Sequence, residues 1–221
     1  MQVIFNLADI PEQLKSDMAE QIEGFSDYRQ LLLIGHGGKR MWEAVQASQF
    51  RDTHDPIDSF SVDRLKSWFS DHYPSCKYKI IYPDRQRIVA LQSLGELVGW
   101  HHRSPFRIGI NQLWGSWFAY RLAVLCDSSF EVSEAMRFIS PCETCIEKPC
   151  ITACPADALQ GCDFSLKRCI NHRLSSDSSC HDQCLARLSC PVAPQPRYTT
   201  QQINYHYCRS LQSIQEYYRD K

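Results

Sequence analysis

Residues 141–191, PCETCIEKPCITACPADALQGCDFSLKRCINHRLSSDSSCHDQCLARLSCP, hold nine of the twelve cysteines in this 221-residue chain. Two runs each end in Cys-Pro. The first is Cys142-x2-Cys145-x4-Cys150-x3-Cys154-Pro155, and the second is Cys169, then Cys180-x3-Cys184-x5-Cys190-Pro191. The opening MQVIFNLADIPEQLK has no basic segment followed by an apolar one, so no export signal is expected. No apolar run approaches the roughly 18 residues that span a bilayer. A cytoplasmic chain keeps its thiols reduced, and twelve cysteines then read as metal ligands before disulfides.

The double Cys-Pro ending matches the two-cluster bacterial ferredoxin pattern, in which the last cysteine of each run ligates the other cluster. Cys142, Cys145, Cys150 and Cys190 would hold one [4Fe–4S] cluster, and Cys154, Cys169, Cys180 and Cys184 the other. The spacers x4, x3 and x5 depart from the standard x2-x2-x3, most of all in the second run. Structural zinc is the alternative for four cysteines, but zinc sites usually come as separated Cys-x2-Cys pairs. Cys162 reads as a bystander in a turn, and Cys76, Cys126 and Cys208 as inert thiols. His172 and His181 are expected to hydrogen-bond near the clusters.

Working outward, the chain is 43% hydrophobic with a net charge of −1, which fits neither a disordered segment nor a basic nucleic-acid binder. Residues 2–6 suit a short strand and 11–29 a polar helical stretch. Leu31–Ile34 reads as a buried strand, Gly35–Gly38 as a tight turn and Lys39–Ser48 as a helix. The glycine turn fits neither dinucleotide- nor nucleoside-triphosphate-binding spacing, so a structural turn is favoured over a phosphate site. Ser61 is placed as the N-cap of a helix over Val62–Ser70. Lys77–Tyr82 alternates as a half-buried strand, and apolar spacing predicts a helix over 86–98 closed by Gly99. A short strand at Arg107–Ile110, a central strand at Trp117–Leu125 and a helix over 201–218 packing on the first domain complete the reading. Strands alternating with helices imply an α/β or α+β layer.

Asp55–Asp58, Tyr82-Pro83-Asp84-Arg85, Gly99 and the run Gly115–Arg121 together resemble the CblC (MMACHC) family of cobalamin-processing proteins. Arg197–Gln202 resembles that family's tail. The cysteine region with Gly115–Phe118 is similar to epoxyqueuosine reductases and reductive dehalogenases, which join a cobalamin-binding, nitroreductase-like domain to two [4Fe–4S] clusters.

The resemblance implies an α+β fold: a nitroreductase-like, CblC-type mixed sheet with helices, plus a small ferredoxin-like two-cluster insertion. The corresponding domains are 1–136 for the cobalamin-binding core, 137–196 for the clusters and 197–221 for a helix returning to the core. It implies that Arg121 and Arg197 form a pocket for glutathione or the upper face of cobalamin, and makes Asp84 the candidate proton donor. Trp100, Trp114 and Tyr120 could floor a flat corrin, and His102 could ligate a metal or protonate a substrate. Trp117 and Phe118 are equally well read as core. The function expected is a cobalamin-binding iron–sulfur reductase acting on the cobalt or its upper ligand. An electron carrier, a non-catalytic corrinoid carrier and an epoxyqueuosine-reductase-like enzyme without the tRNA-facing extension stand as alternatives. Expected partners are a corrinoid and a flavodoxin, ferredoxin or flavoprotein donor, with neither nucleic acid nor membrane.

Overall fold

Leu31, Leu32 and Leu33 are consecutive and all buried, which requires a strand covered on both faces. In the computed structural model, which describes residues 1–84, 86–160 and 163–219, they lie in β2 (Gln30–Gly37). With β1 (Gln2–Asn6), β3 (Tyr78–Tyr82) and β4 (Phe118–Cys126), β2 forms a four-stranded sheet ordered β1-β2-β4-β3. Every pairing is antiparallel, so the sheet expected to be mixed is not.

The chain divides into two compact units. The first comprises Met1–Trp100 and Phe118–Arg137 and contains the sheet. On one face, Leu31, Leu33, Ala123 and Leu125 pack with Met18 of α1 (Glu12–Ala19) and Leu94 of α4 (Leu91–Leu97). On the other, Leu32, Leu122 and Val124 meet Leu65 and Phe69 of α3 (Pro56–His72). Helix α2 (Arg40–Gln46) follows β2. The period of two along each strand produces this division of side chains.

Several local expectations shift. β2 runs on through Gly37 across a register irregularity at Ile34/Gly35, so the glycine stretch is largely strand. Pro56 opens α3 at a position where its missing N–H costs nothing. Ser61 is therefore buried inside the helix, its hydroxyl donating to Ile57 O at 2.6 Å, and does not cap it. The helix expected over 86–98 is confined to α4, because Gln21 clamps Ile88 by accepting from its N–H at 2.9 Å and donating to its carbonyl at 3.2 Å. Ile88, counted for the buried face, is 83% exposed. Gly99 does adopt the left-handed conformation, φ +69°, and a β-carbon there would stand 1.8 Å from Met136 O.

The second unit comprises His101–Trp117 and Phe138–Lys221, so 101–117 and the terminal helix group with the cysteines, outside the 137–196 boundaries expected. Its helices are α5 (Pro141–Thr144), α6 (Pro149–Thr152), α7 (Leu166–Leu174), α8 (Leu185–Leu188) and α9 (Thr200–Arg219). Where a strand was expected at Arg107–Ile110, Arg107 has φ +59°, and Ile110 makes an isolated antiparallel bridge with His102.

Candidate metal centre

The short helices α5 and α6 each begin one residue before a cysteine of the first run, α8 begins directly after Cys184, and α7 carries Cys169. The loops around them are strained. Lys148, Asp157 and Ala193 adopt positive φ of 41°, 47° and 44° without being glycine, each within three residues of Cys150, Cys154 or Cys190. Such conformations persist only where surrounding structure fixes them, and they concentrate at functional sites.

The thiols fall into two groups. Burial pushes Cys142 up to about 11, with Cys190, Cys150 and Cys145 adding to the effect in that order. Cys150 and Cys190 are raised first by burial, and Cys145 contributes to both. Cys169 is raised first by burial, then by Cys184, with Cys154 and Cys180 further contributors. The thiols that act on one another are thus Cys142 with Cys145, Cys150 and Cys190, and Cys169 with Cys154, Cys180 and Cys184. All eleven described cysteines are free thiols, and Cys162 lies outside the described residues, as does Arg85. Among the described residues no three His, Cys, Asp or Glu side chains close tightly enough to hold one metal ion. A [4Fe–4S] cubane makes a different demand, since each thiolate meets its own iron.

Phe106, Ile110, Leu159 and Ala186 pack against Cys150 and Cys190, giving the thiols an apolar surround. Val192 N–H donates to Cys190, and the Cys150 and Ile151 amides donate to Cys150. Backbone donors and an apolar shell are what cluster sulfurs require.

The remaining candidates separate by unit. Arg197 stacks 5.5 Å from the Trp117 ring and donates to Leu188 O at 2.8 Å and Cys190 O at 3.5 Å, bracing the Cys190 loop. Trp117 is wholly buried. Trp114 N–H donates to Asn111 Oδ1 at 2.6 Å, and His102 Nε2 is buried without a partner among the described residues. His181 meets Ser175 O at 2.7 Å.

In the first unit, Trp100 is 3% exposed and stacks on Tyr120 with ring centres 5.7 Å apart. Both belong to the sheet's packing, and a β-carbon on Gly95 would lie 1.7 Å from the Tyr120 hydroxyl. Both Asp84 oxygens are engaged, one by Gln86 N–H at 2.7 Å and the other by Arg87. Arg121 lines a cavity of about 880 Å³ between β1, β2, β4, α2 and α3. Its Nε is buried without an acceptor among the described residues. His36 and Arg40 share this cavity, with Phe60, Trp68 and Phe130 supplying aromatic wall. Burial, then the N-terminal amine, Arg121 and Arg40, hold His36 down to about 4. Sequence reading missed this cavity because its lining comes from six separate segments.

No family model matches the chain, and no curated protein does. Solved structures do. Epoxyqueuosine reductase from Bacillus subtilis superposes with a TM-score of 0.55 at 15% identity, over 90% of this chain and 63% of that one. Epoxyqueuosine reductase with an epoxyqueuosine-modified tRNA-Tyr stem loop gives 0.56 at 15% identity, over 92% of this chain and 64% of that one. The C. elegans B12-trafficking protein CblC gives 0.52 at 14% identity, over 97% of this chain and 88% of that one. The likeness is one of fold. This chain spans less than two thirds of the epoxyqueuosine reductase chains. Among the described residues no helix is long and apolar enough to cross a membrane.

Proposed function

We propose that this protein is a corrinoid-binding iron–sulfur reductase. Two [4Fe–4S] clusters, on Cys142/145/150/190 and on Cys154/169/180/184, would pass single electrons to a cobalamin-type cofactor, reducing its cobalt or releasing its upper ligand. The observation carrying this reading is the division of eight thiols into two interacting groups that cross between the runs. The fold likeness to epoxyqueuosine reductase and to a B12-trafficking CblC supports it. A ferredoxin-type cluster pair can supply single electrons, while the corrinoid carries the chemistry and the protein orients it.

The chain's own residues suit these groups. The buried Arg121 Nε, without an acceptor among the described residues and set in a cavity with aromatic wall, fits an anionic or carbonyl oxygen of the corrinoid or of a thiol co-substrate such as glutathione. Arg197 is instead assigned to holding the Cys190 loop. With both oxygens engaged, Asp84 is a poor proton donor in the conformation seen. A small corrinoid is proposed over a tRNA substrate on the net charge of −1, since phosphate-backbone binding draws on clustered cations.

Anaerobic purification with iron and sulfide analysis, followed by a cobalamin titration, tests the reading. Two cubanes require about eight irons and eight sulfides per chain, and cobalamin binding should shift the visible spectrum. Zinc without sulfide would refute the clusters. Clusters with an unmoved cobalamin spectrum would leave an electron carrier, and binding without ligand turnover under reductant a corrinoid carrier. Arg121→Ala should weaken cobalamin binding at least tenfold while leaving the iron content unchanged.

A further inference from the structure

Gly115-Ser116-Trp117 is distant in sequence from the second cysteine run, yet that run is set directly upon it. Gly115 has φ +54°, and a β-carbon there would collide with the carbonyl of Val192, two residues past Cys190. Glycine alone lets the Cys190 loop lie so close. Ser116 and Trp117 are wholly buried. Ser116 Oγ accepts from the Arg187 guanidinium at 3.3 Å, and the Ser116 carbonyl accepts from it as well. The Trp117 ring receives Arg187 at 4.3 Å and Arg197 at 5.5 Å from its centre.

Both arginines hold the same short element. Helix α8 takes up four of the five residues between Cys184 and Cys190, so the spacer is wound into a single turn. Leu188 N–H donates to Cys184 O at 2.9 Å, and Cys190 N–H to Arg187 O at 3.3 Å. Arg187 belongs to this turn and is 7% exposed, with the Tyr198 ring 5.3 Å away. Arg197 donates to Leu188 O at the turn's end, where helical carbonyls lack a donor of their own.

The turn runs between the two proposed ligand sets. Cys184 belongs to the second set and Cys190 to the first. In the same way α6 carries Cys150 of the first set and leads into Cys154 of the second. Ala186 of α8, 2% exposed, and Ile151 of α6 share one apolar cluster with these four cysteines. The two turns that each join the sets therefore pack together, and Ser116 and Trp117 pin α8 from outside the run.

We propose that Arg187 is the positioning residue of the cluster pair: held on Ser116 and Trp117, it fixes α8 and with it the separation across which an electron passes between the two clusters. This rests on the reading that both thiol sets hold clusters. A four-residue helix does not keep its shape by its own hydrogen bonds. A guanidinium held over an indole face and by two acceptors, away from water, supplies what the turn lacks. The long x5 spacer then has a use, because its extra residues make the turn that carries the anchor. Arg187 touches no substrate and acts through the placing of Cys184 and Cys190.

The test is paramagnetic resonance of the anaerobically purified full chain, reduced with titanium(III) citrate until each cluster holds one added electron. Two reduced clusters split each other's signals, with a strength that falls as the cube of their separation. Arg187→Met keeps the stem and removes the donors. It should retain iron and sulfide, smear that splitting into unresolved breadth, and raise amide exchange at Leu188 and Cys190 at least tenfold. If Arg187→Met loses iron, Trp117→Phe, whose ring binds a cation more weakly, decides by the same splitting and should smear it to a lesser degree. An unchanged splitting at full iron, or an unmodified chain with full iron and no splitting, would overturn the proposal while the clusters stand. About four irons or fewer in the unmodified chain would overturn the two-cluster reading, and this inference with it.

Discussion

The two units are held together in different ways. The first closes a sheet between apolar layers: Leu31, Leu33, Ala123 and Leu125 are fully buried, and the strands containing them pair along most of their length. The second has no sheet among its described residues. Three of its helices are four residues long, and its main apolar cluster contains Cys150 and Cys190 as members. Helices so short do not stand in water on their own propensity. Burial can therefore account for the first unit, whereas the proposed clusters would join the cysteines of the second. The difference explains why strained residues Lys148, Asp157 and Ala193 gather there.

If the proposed clusters are present, removing their metal should have the largest effect of all. If iron is stripped anaerobically, amide exchange should rise to near-unfolded rates across α6 and α8, while β2 and β4 keep their protection. This follows because a ligand bound only by the folded form contributes its binding energy to stability. Equal loss in both units, or protection retained in α6 and α8, would break the comparison. A smaller change is expected from Leu125→Ala, which opens a cavity in the first unit at a fully buried site. A cost of about 2–5 kcal/mol in its unfolding is expected by denaturant titration, with iron per chain unchanged. An equal fall in iron content would show that the units do not stand independently.

How much of this was readable in the sequence follows the same division. The ligand sets proposed for the two clusters rest on a short-range code, Cys spacing and Cys-Pro endings, which needs no tertiary information. β2 and β4 were legible because strands buried on both faces leave unbroken apolar runs. The helix over 86–98 failed because apolar periodicity cannot register that Gln21, distant in sequence, hydrogen-bonds both backbone groups of Ile88 and keeps it out of the helix. Trp100, one of the aromatics read as a corrin floor, is 3% exposed, and burial of that kind is not written in residue type. Arg187 sits in the spacer between Cys184 and Cys190, and its separation from Ser116 in sequence hid their contact.

The smallest expected effect belongs to the first unit's cavity. Burial first, and then the N-terminal amine, Arg121 and Arg40, hold His36 at about 4, below its ordinary 6.5. The folded chain therefore refuses a proton that the unfolded chain accepts. Stability from this residue is fully present above pH 6.5, falls as the pH drops toward 4, and levels off below it. Because His36 is only half-buried, solvent screening reduces the loss to a fraction of what the shift implies. His36→Asn should flatten the stability profile between pH 6.5 and 4 without altering iron content. The slope should also weaken when an anionic ligand binds beside Arg121 and Arg40, because a negative charge there offsets the repulsion that keeps the imidazole neutral. A profile indifferent to both changes would mean that the cavity's cations do not act on His36, and would leave Arg121 as structural packing alone.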